Sequence, residues 1–205
     1  MSASGASAGG VACRVVSDRF ARWDPDHRRR PAEVTVTPAR PADLQALVPL
    51  AAGQAGTPAR WAELLETDLA DLDRVLLVGR VGDALAGYGR LAWLDPPASG
   101  GEGAPAGWYL AGLVVDPAWR GRGVGEALTR ARIEHVAGRA GELWYFANAA
   151  NTVSLVLHAQ LGFVEITRDF SIPGVSFTAR TGVLCRLALA STLALEREVQ
   201  GRARR

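Results

Sequence analysis

The chain contains no lysine: all 23 of its basic residues are arginine. Chemistry that needs a lysine amine, such as a Schiff base or the phosphate-gripping lysine of a Walker A loop, is therefore excluded. Cysteine is scarce too. Cys13 and Cys185 stand near opposite ends with no Cys-x-x-Cys pair, which excludes a zinc ribbon and leads us to expect reduced thiols and a cytoplasmic location. The three histidines, His27, His135 and His158, show no metal-ligand spacing, so no metal is expected. No apolar run approaches the ~20 residues of a membrane span, and Met1 to Val16 lacks the apolar core of a secretion signal. No membrane partner is expected. A formal charge of +2 over 205 residues gives no electrostatic footprint for nucleic acid.

What is present suits one domain with tails: 48% of the residues are hydrophobic, enough for a core without a disulfide or metal staple. Residues 1–32 are rich in Ser, Ala and Gly and close on Arg28-Arg29-Arg30-Pro31, which reads as a flexible leader. Residues 33–190 carry the periodic patterns of a folded domain. Residues 191–205 form a charged tail. Alternation predicts strands at Val34–Thr37, Val75–Val81 and Leu85–Leu94, the last two joined by a Gly82-Asp83 turn. Apolar runs predict strands at Trp108–Val115, Leu143–Ala147, Phe163–Phe170 and Gly182–Leu189. Helical spacing predicts helices from Pro41, over Pro58–Ala70, over Gly125–Val136 and over Thr152–Leu161, with Gly162 as the C-terminal stop. Residues 95–107 hold three Pro and four Gly and read as a mobile surface loop. The order is β, two helices, ββ, β, helix, β, helix, ββ. The interleaved second half is where a parallel pair belongs, so the class is α/β in the broad α+β sense.

The informative segment is Val114-Val115-Asp116-Pro117-Ala118-Trp119-Arg120-Gly121-Arg122-Gly123-Val124-Gly125. A buried strand ends, a glycine-rich turn follows and a helix begins. Glycines at 121, 123 and 125 leave backbone N–H groups uncovered at a helix N-terminus, where the macrodipole favours an anion such as a phosphate. Arg120 and Arg122 add charge for further phosphates. A Walker A loop fails for want of lysine, and a dinucleotide fingerprint fails at Glu126, where its last glycine belongs. A turn with glycines for geometry alone remains the alternative at this point.

Arg120 to Gly125 fits the [RQ]xxGx[GA] signature and resembles the GNAT superfamily of N-acetyltransferases. Leu143 to Asn151 is similar to that family's fifth strand and its asparagine. Ser154 to Phe163 is similar to the next helix and its closing Leu-Gly-Phe. The resemblance implies a mixed, mostly antiparallel sheet of about seven strands with about four helices, and a splayed parallel pair formed by the fourth and fifth strands. It implies acetyl-CoA as acyl donor, with Leu113, Val114 and Val115 pairing to the pantetheine arm and Arg120, Gly121, Arg122, Gly123, Val124 and Gly125 on the pyrophosphate. Asn151 contacts the cofactor in this picture; it also suits an N-cap of the helix opened by Thr152. A primary amine attacks the thioester directly. The tetrahedral oxygen needs an N–H donor, for which the amides of Val114 and Val115 are the candidates.

The sequence departs from the family at both ends of the proton path. Where many members carry a Tyr to protonate the thiolate, His158 stands as candidate general acid; a packed shape-filler is its alternative. Where members that acetylate protein N-termini often carry a Glu, Phe146 stands. The remaining candidates for base are Tyr109 and Tyr145, then Tyr88, Glu63 and Glu66. Trp61, Trp93, Trp108 and Phe177, with Glu63, Glu66, Asp68, Asp71 and Asp73, are candidates for an aromatic and acidic acceptor rim. The expectation is an acetyl-CoA-dependent N-acetyltransferase that prefers a small-molecule amine to a protein N-terminus. The alternative is a non-catalytic acyl-CoA-binding sensor or partner module of the same fold. Leu184 to Leu195 is the candidate pairing surface for a homodimer.

Overall fold

The computed structural model describes residues 30–53, 56–95, 103–172, 175, 177 and 181–189. Most of the expected leader, residues 96–102 of the expected mobile loop, and the expected tail from 191 onward lie outside them. At the described end of the leader, the Ala32 N–H donates to the Arg122 carbonyl at 3.0 Å.

Seven strands form one sheet: β1 (Thr35–Pro38), β2 (Arg74–Val81), β3 (Ala84–Leu94), β4 (Gly107–Val115), β5 (Glu142–Asn148), β6 (Val164–Thr167) and β7 (Gly182–Ala188). The spatial order is β1-β2-β3-β4-β5-β7-β6, and β4–β5 is the parallel pair within an otherwise antiparallel sheet. The helices are α1 (Leu44–Ala52), α2 (Pro58–Ala70), α3 (Val124–Val136) and α4 (Thr152–Gln160). The unbroken apolar run of β2 follows from its double cover. Leu76 and Val78 pack with Leu47 and Leu65 of α1 and α2, while Leu77 packs with Val124 and Leu128 of α3. Against the other half of the sheet, Val136, Leu143, Tyr145 and Phe163 close a third cluster. Among the described residues no helix is long and apolar enough to cross a membrane.

Beyond one-residue shifts at element ends, three features differ from the sequence pattern. The first helix is preceded by a 3-10 turn over Pro41–Asp43, where Asp43 accepts from the Arg40 N–H at 2.8 Å. β6 ends at Thr167 rather than Phe170, because the Asp169 N–H turns back to the Thr167 hydroxyl at 3.0 Å and Phe170 leaves for a separate cluster. The described part of the expected pairing segment is no free edge: β7 lies between β5 and β6, and Leu184 is buried.

Two features of β4 position the site. Arg90 pairs with Gly112 but Leu91 pairs with Leu110, so Ala111 is an extra residue and β4 bulges. The parallel ladder to β5 consists of Tyr109↔Trp144 and Leu110↔Tyr145 and stops at that bulge. Beyond it β4 and β5 diverge.

Candidate active site

The divergence opens a cleft of about 140 Å³ whose walls include Gly112, Arg132, Tyr145, Phe146, Ser154 and His158, with Leu113 and Asn151 also on its lining. Backbone groups alternate sides along a strand. The Asp116 N–H donates to Ala86 of β3 at 3.0 Å, so Val114, two residues earlier, also faces β3. Leu113 and Val115 therefore turn their N–H groups toward the gap. Of the two amides expected to serve an oxyanion, only that of Val115 faces the gap.

Past β4, the Asp116 carboxylate accepts from the Ala118 N–H at 2.8 Å and holds a 3-10 turn over Pro117–Trp119. The chain then reverses through Gly121 (φ 72°) and Gly123 (φ 90°), a left-handed backbone that glycine adopts without strain. Gly123 is the N-cap of α3, and Ala127 donates the helix's first backbone bond to its carbonyl at 2.9 Å. The amides ahead of Ala127 have no acceptor within the helix. A Cβ on Gly123 would meet nothing within 4 Å, so the space over these amides is open. Gly125 lies inside α3, where a Cβ would make ordinary contacts with Leu157, Val115 and Leu113. Arg120 Nε donates to the Val115 carbonyl at 3.3 Å. Arg122 lies 5.5 Å from the Trp119 ring centre, and its Nε is buried without a partner. Open amides, two positive-φ glycines and an unsatisfied guanidinium nitrogen fit a pyrophosphate.

Asn151 caps α4: its Oδ1 accepts from the Ser154 N–H at 3.3 Å. His158, on the same helix, is buried and stacked on Tyr145, with ring centres 3.7 Å apart. Its Nδ1 lies 2.7 Å from the Ser154 carbonyl. A carbonyl only accepts, so the single proton of the neutral ring sits on Nδ1 and is already donated. Nε2 is buried with no partner. Burial pushes the pKa down to about 3, so the ring is neutral near pH 7. Such a histidine has its one proton already donated, which counts against the general-acid expectation, and a pKa near 3 makes its Nε2 a weak base as well, in keeping with the packed shape-filler alternative.

The Tyr145 hydroxyl donates to Ser154 Oγ at 2.7 Å, and burial raises its pKa above the ordinary phenol value. The Tyr109 hydroxyl donates to the Pro105 carbonyl at 2.6 Å, and its ring belongs to the cluster of Trp144, Ile172 and Leu184 rather than the cleft wall. Burial raises its pKa as well. Both phenols are neutral donors near pH 7, and Tyr109 lies away from the chemistry expected of it. Tyr88 is buried beneath α1 and α2.

The expected acidic rim is not one unit. Asp68 is buried and is held by Arg90, through Nε and by Nη2 at 3.0 Å, and by Arg74 Nη1 at 3.2 Å. Asp71 accepts from Arg74 Nε at 2.9 Å. Glu63 and Glu66 are exposed on α2. Trp61 packs into the core under α1 and α2, while Trp93 and Trp108 meet edge to face at 6.0 Å. Phe146, on the cleft wall, meets Phe177 edge to face at 6.1 Å, and Phe177 meets Phe170 at 5.5 Å. The wall is aromatic rather than acidic.

The sequence reading missed Arg132. On an amphipathic helix an arginine reads as solvated, yet Arg132 is fully buried. The signal was its register: Leu128, Arg132 and Val136 are four apart, on one face.

The model of the acetyltransferase (GNAT) family matches residues 44–163. Mycothiol acetyltransferase of Nocardioides sp. (strain ATCC BAA-499 / JS614) is 36% identical over 77 residues, which is 37% of this chain and 25% of that relative. The chain thus matches about a quarter of that relative's length. Among solved structures, Arabidopsis thaliana NAA60 in complex with acetyl-CoA aligns at a TM-score of 0.58 and 17% identity, over 76% of this chain and 98% of that one. The ribosomal-protein-S18-alanine N-acetyltransferase of Escherichia coli aligns at 0.57 and 17%, over 78% and 96%.

Proposed function

The chain belongs to the acetyltransferase (GNAT) family, and from that premise we propose that it is an acetyl-CoA-dependent N-acetyltransferase acting on the primary amine of a small molecule. The observation that carries the reading is one chain path: β4 lines the cleft where it parts from β5 and runs on into the positive-φ glycine turn at Gly121 and Gly123 that caps α3. The nest amides with Arg120 and Arg122 would hold the pyrophosphate, and the gap-facing backbone of Val115 would pair with the pantetheine arm. Bound acetyl-CoA supplies an activated acetyl group as a thioester.

This chain's residues then orient and exclude. Of the gap-facing amides, Leu113 N–H lies on the cleft lining and would serve the carbonyl oxygen as negative charge develops there, leaving Val115 N–H to the pantetheine arm. The ammonium form of an alkylamine, with a pKa near ~10, must lose its proton before it attacks. No carboxylate lines the cleft among the described residues, so that proton leaves through water. His158 Nε2 is a hydrogen-bond acceptor on the cleft wall without a partner, but with a pKa near 3 it is too weak a base to take the ammonium proton itself. The preference for a small amine is supported by Phe146 where members that acetylate protein N-termini often carry a Glu, by the Phe146–Phe177 wall, and by a relative named mycothiol acetyltransferase.

The test is thiol release from acetyl-CoA across a panel of small primary amines and peptides with free N-termini. Release with small amines well above release with peptides is expected. Preferential release with peptides would overturn the acceptor class. Tight acetyl-CoA binding with no release on any amine would identify a non-catalytic acyl-CoA-binding module.

A further inference from the structure

Arg132 is fully buried and forms no ion pair among the described residues. Its hydrogen bonds go to neutral acceptors. Nε donates to the Leu128 carbonyl at 3.2 Å, Nη1 to the Arg90 and Gly112 carbonyls at 3.3 and 3.0 Å, and Nη2 to the Thr129 hydroxyl at 2.9 Å. The site is built to receive it: a Cβ on Gly89 would lie 2.8 Å from Nε. Two of the carbonyls, those of Arg90 and Gly112, belong to the pair at the β4 bulge where the cleft begins.

The elements packed around it bring no counter-charge. Tyr145 of β5 and His158 of α4 are the titratable groups that face it, and burial keeps both neutral near pH 7. The Arg90 side chain is spent on Asp68 beneath α2. Burial lowers the Arg132 pKa to about 9, which leaves it protonated near neutrality. A buried cation without an anion is costly to keep, and its field in a low-dielectric cleft is correspondingly strong. The cleft is therefore prepared for a negative charge that it does not itself contain.

Resting on the acetyltransferase reading above, we propose that Arg132 stabilises the departing CoA thiolate by charge, so that no general acid is needed at the sulfur. In that step the amine lone pair forms the N–C bond, the C–S bond breaks, and its electron pair stays on sulfur as the thiolate. The amine proton passes to water. This accounts for a cleft whose histidine has no proton to give.

The test needs no acceptor amine. The thiol of free CoA bound to the wild-type protein is titrated by the ultraviolet absorbance of its thiolate, against the unliganded protein and against CoA in solution. The protein-bound thiol is followed from pH 6 to 8, about a unit below the pKa of about 9 to which burial lowers Arg132, and CoA in solution is titrated to its own end point. The expected result is a bound-thiol pKa about 1 to 3 units below that of CoA in solution, as for a group beside an opposite charge. Arg132→Met should abolish the shift and Arg132→Lys should retain part of it, with folding checked by circular dichroism. Should Arg132→Met not fold, the wild-type titration and Arg132→Lys still decide. Bound CoA with an unshifted thiol would overturn the inference and leave the acetyltransferase reading standing. A folded Arg132→Met that keeps the full shift would assign Arg132 to packing alone. Absence of CoA binding would overturn both.

Discussion

At the residue scale, His158 carries the clearest pH consequence. Its folded pKa near 3 lies below the ordinary value of 6.5. The unfolded chain therefore binds a proton between those values that the folded chain refuses, and stability falls as pH drops through that window. The limiting slope is about 1.4 kcal/mol per pH unit. Thermal unfolding at pH 7 and pH 5 should show a smaller acid loss in His158→Leu than in the wild type; equal losses would contradict the assignment. Gly89 makes a second residue-scale prediction. A methyl there meets Arg132 Nε at 2.8 Å, so Gly89→Ala should cost about 1–3 kcal/mol in denaturant unfolding. His158 and Arg132 also mark where sequence reading stops. The run Arg120 to Gly125 was legible because phosphate binding leaves a local spelling of glycine and arginine at a helix start. His158 was legible as a site residue but not in its protonation, which depends on a carbonyl one turn away and on burial. Arg132 was invisible as chemistry, because two of its partners come from β3 and β4, 42 and 20 positions away.

At the element scale, strands and helices followed from period and punctuation, interleaving placed a parallel pair in the second half, and the family resemblance made it a splayed fourth and fifth strand. The physical cause of the splay had no such spelling. The splay arises from one extra residue, Ala111, and from a two-rung ladder, both of which are decided between strands rather than along one. The same limit hid the seat of α2. Its carboxylates read as candidates for an acidic acceptor rim, yet Asp68 turns inward to bridge Arg90 of β3 and Arg74 of β2. Removing one partner of a buried pair leaves an uncompensated charge. Asp68→Ala should therefore cost about 3–5 kcal/mol in chemical denaturation. The exposed pair Arg130–Glu126 on α3 offers the contrast, and Glu126→Ala should change stability by less than about 1 kcal/mol. Comparable losses in the two variants would show that the buried network does not fasten α2.

At the scale of the whole molecule, one chain path links the parts: β4 bulges, parts from β5, and runs into the glycine turn that caps α3. The central claim is that this path is an acyl-CoA site. Its direct test is calorimetric titration of acetyl-CoA into the wild type, Gly123→Ala and Gly123→Asp, with folding of each confirmed by circular dichroism. Gly123→Ala carries only the strain of φ 90°, on the order of 1 kcal/mol, into open space, and should still bind. Gly123→Asp sets a carboxylate among the amides and should not. The account predicts saturable binding in the wild type and its loss in a folded Gly123→Asp. A wild type that gives no heat of binding, or a Gly123→Asp variant that binds as the wild type does, would contradict it.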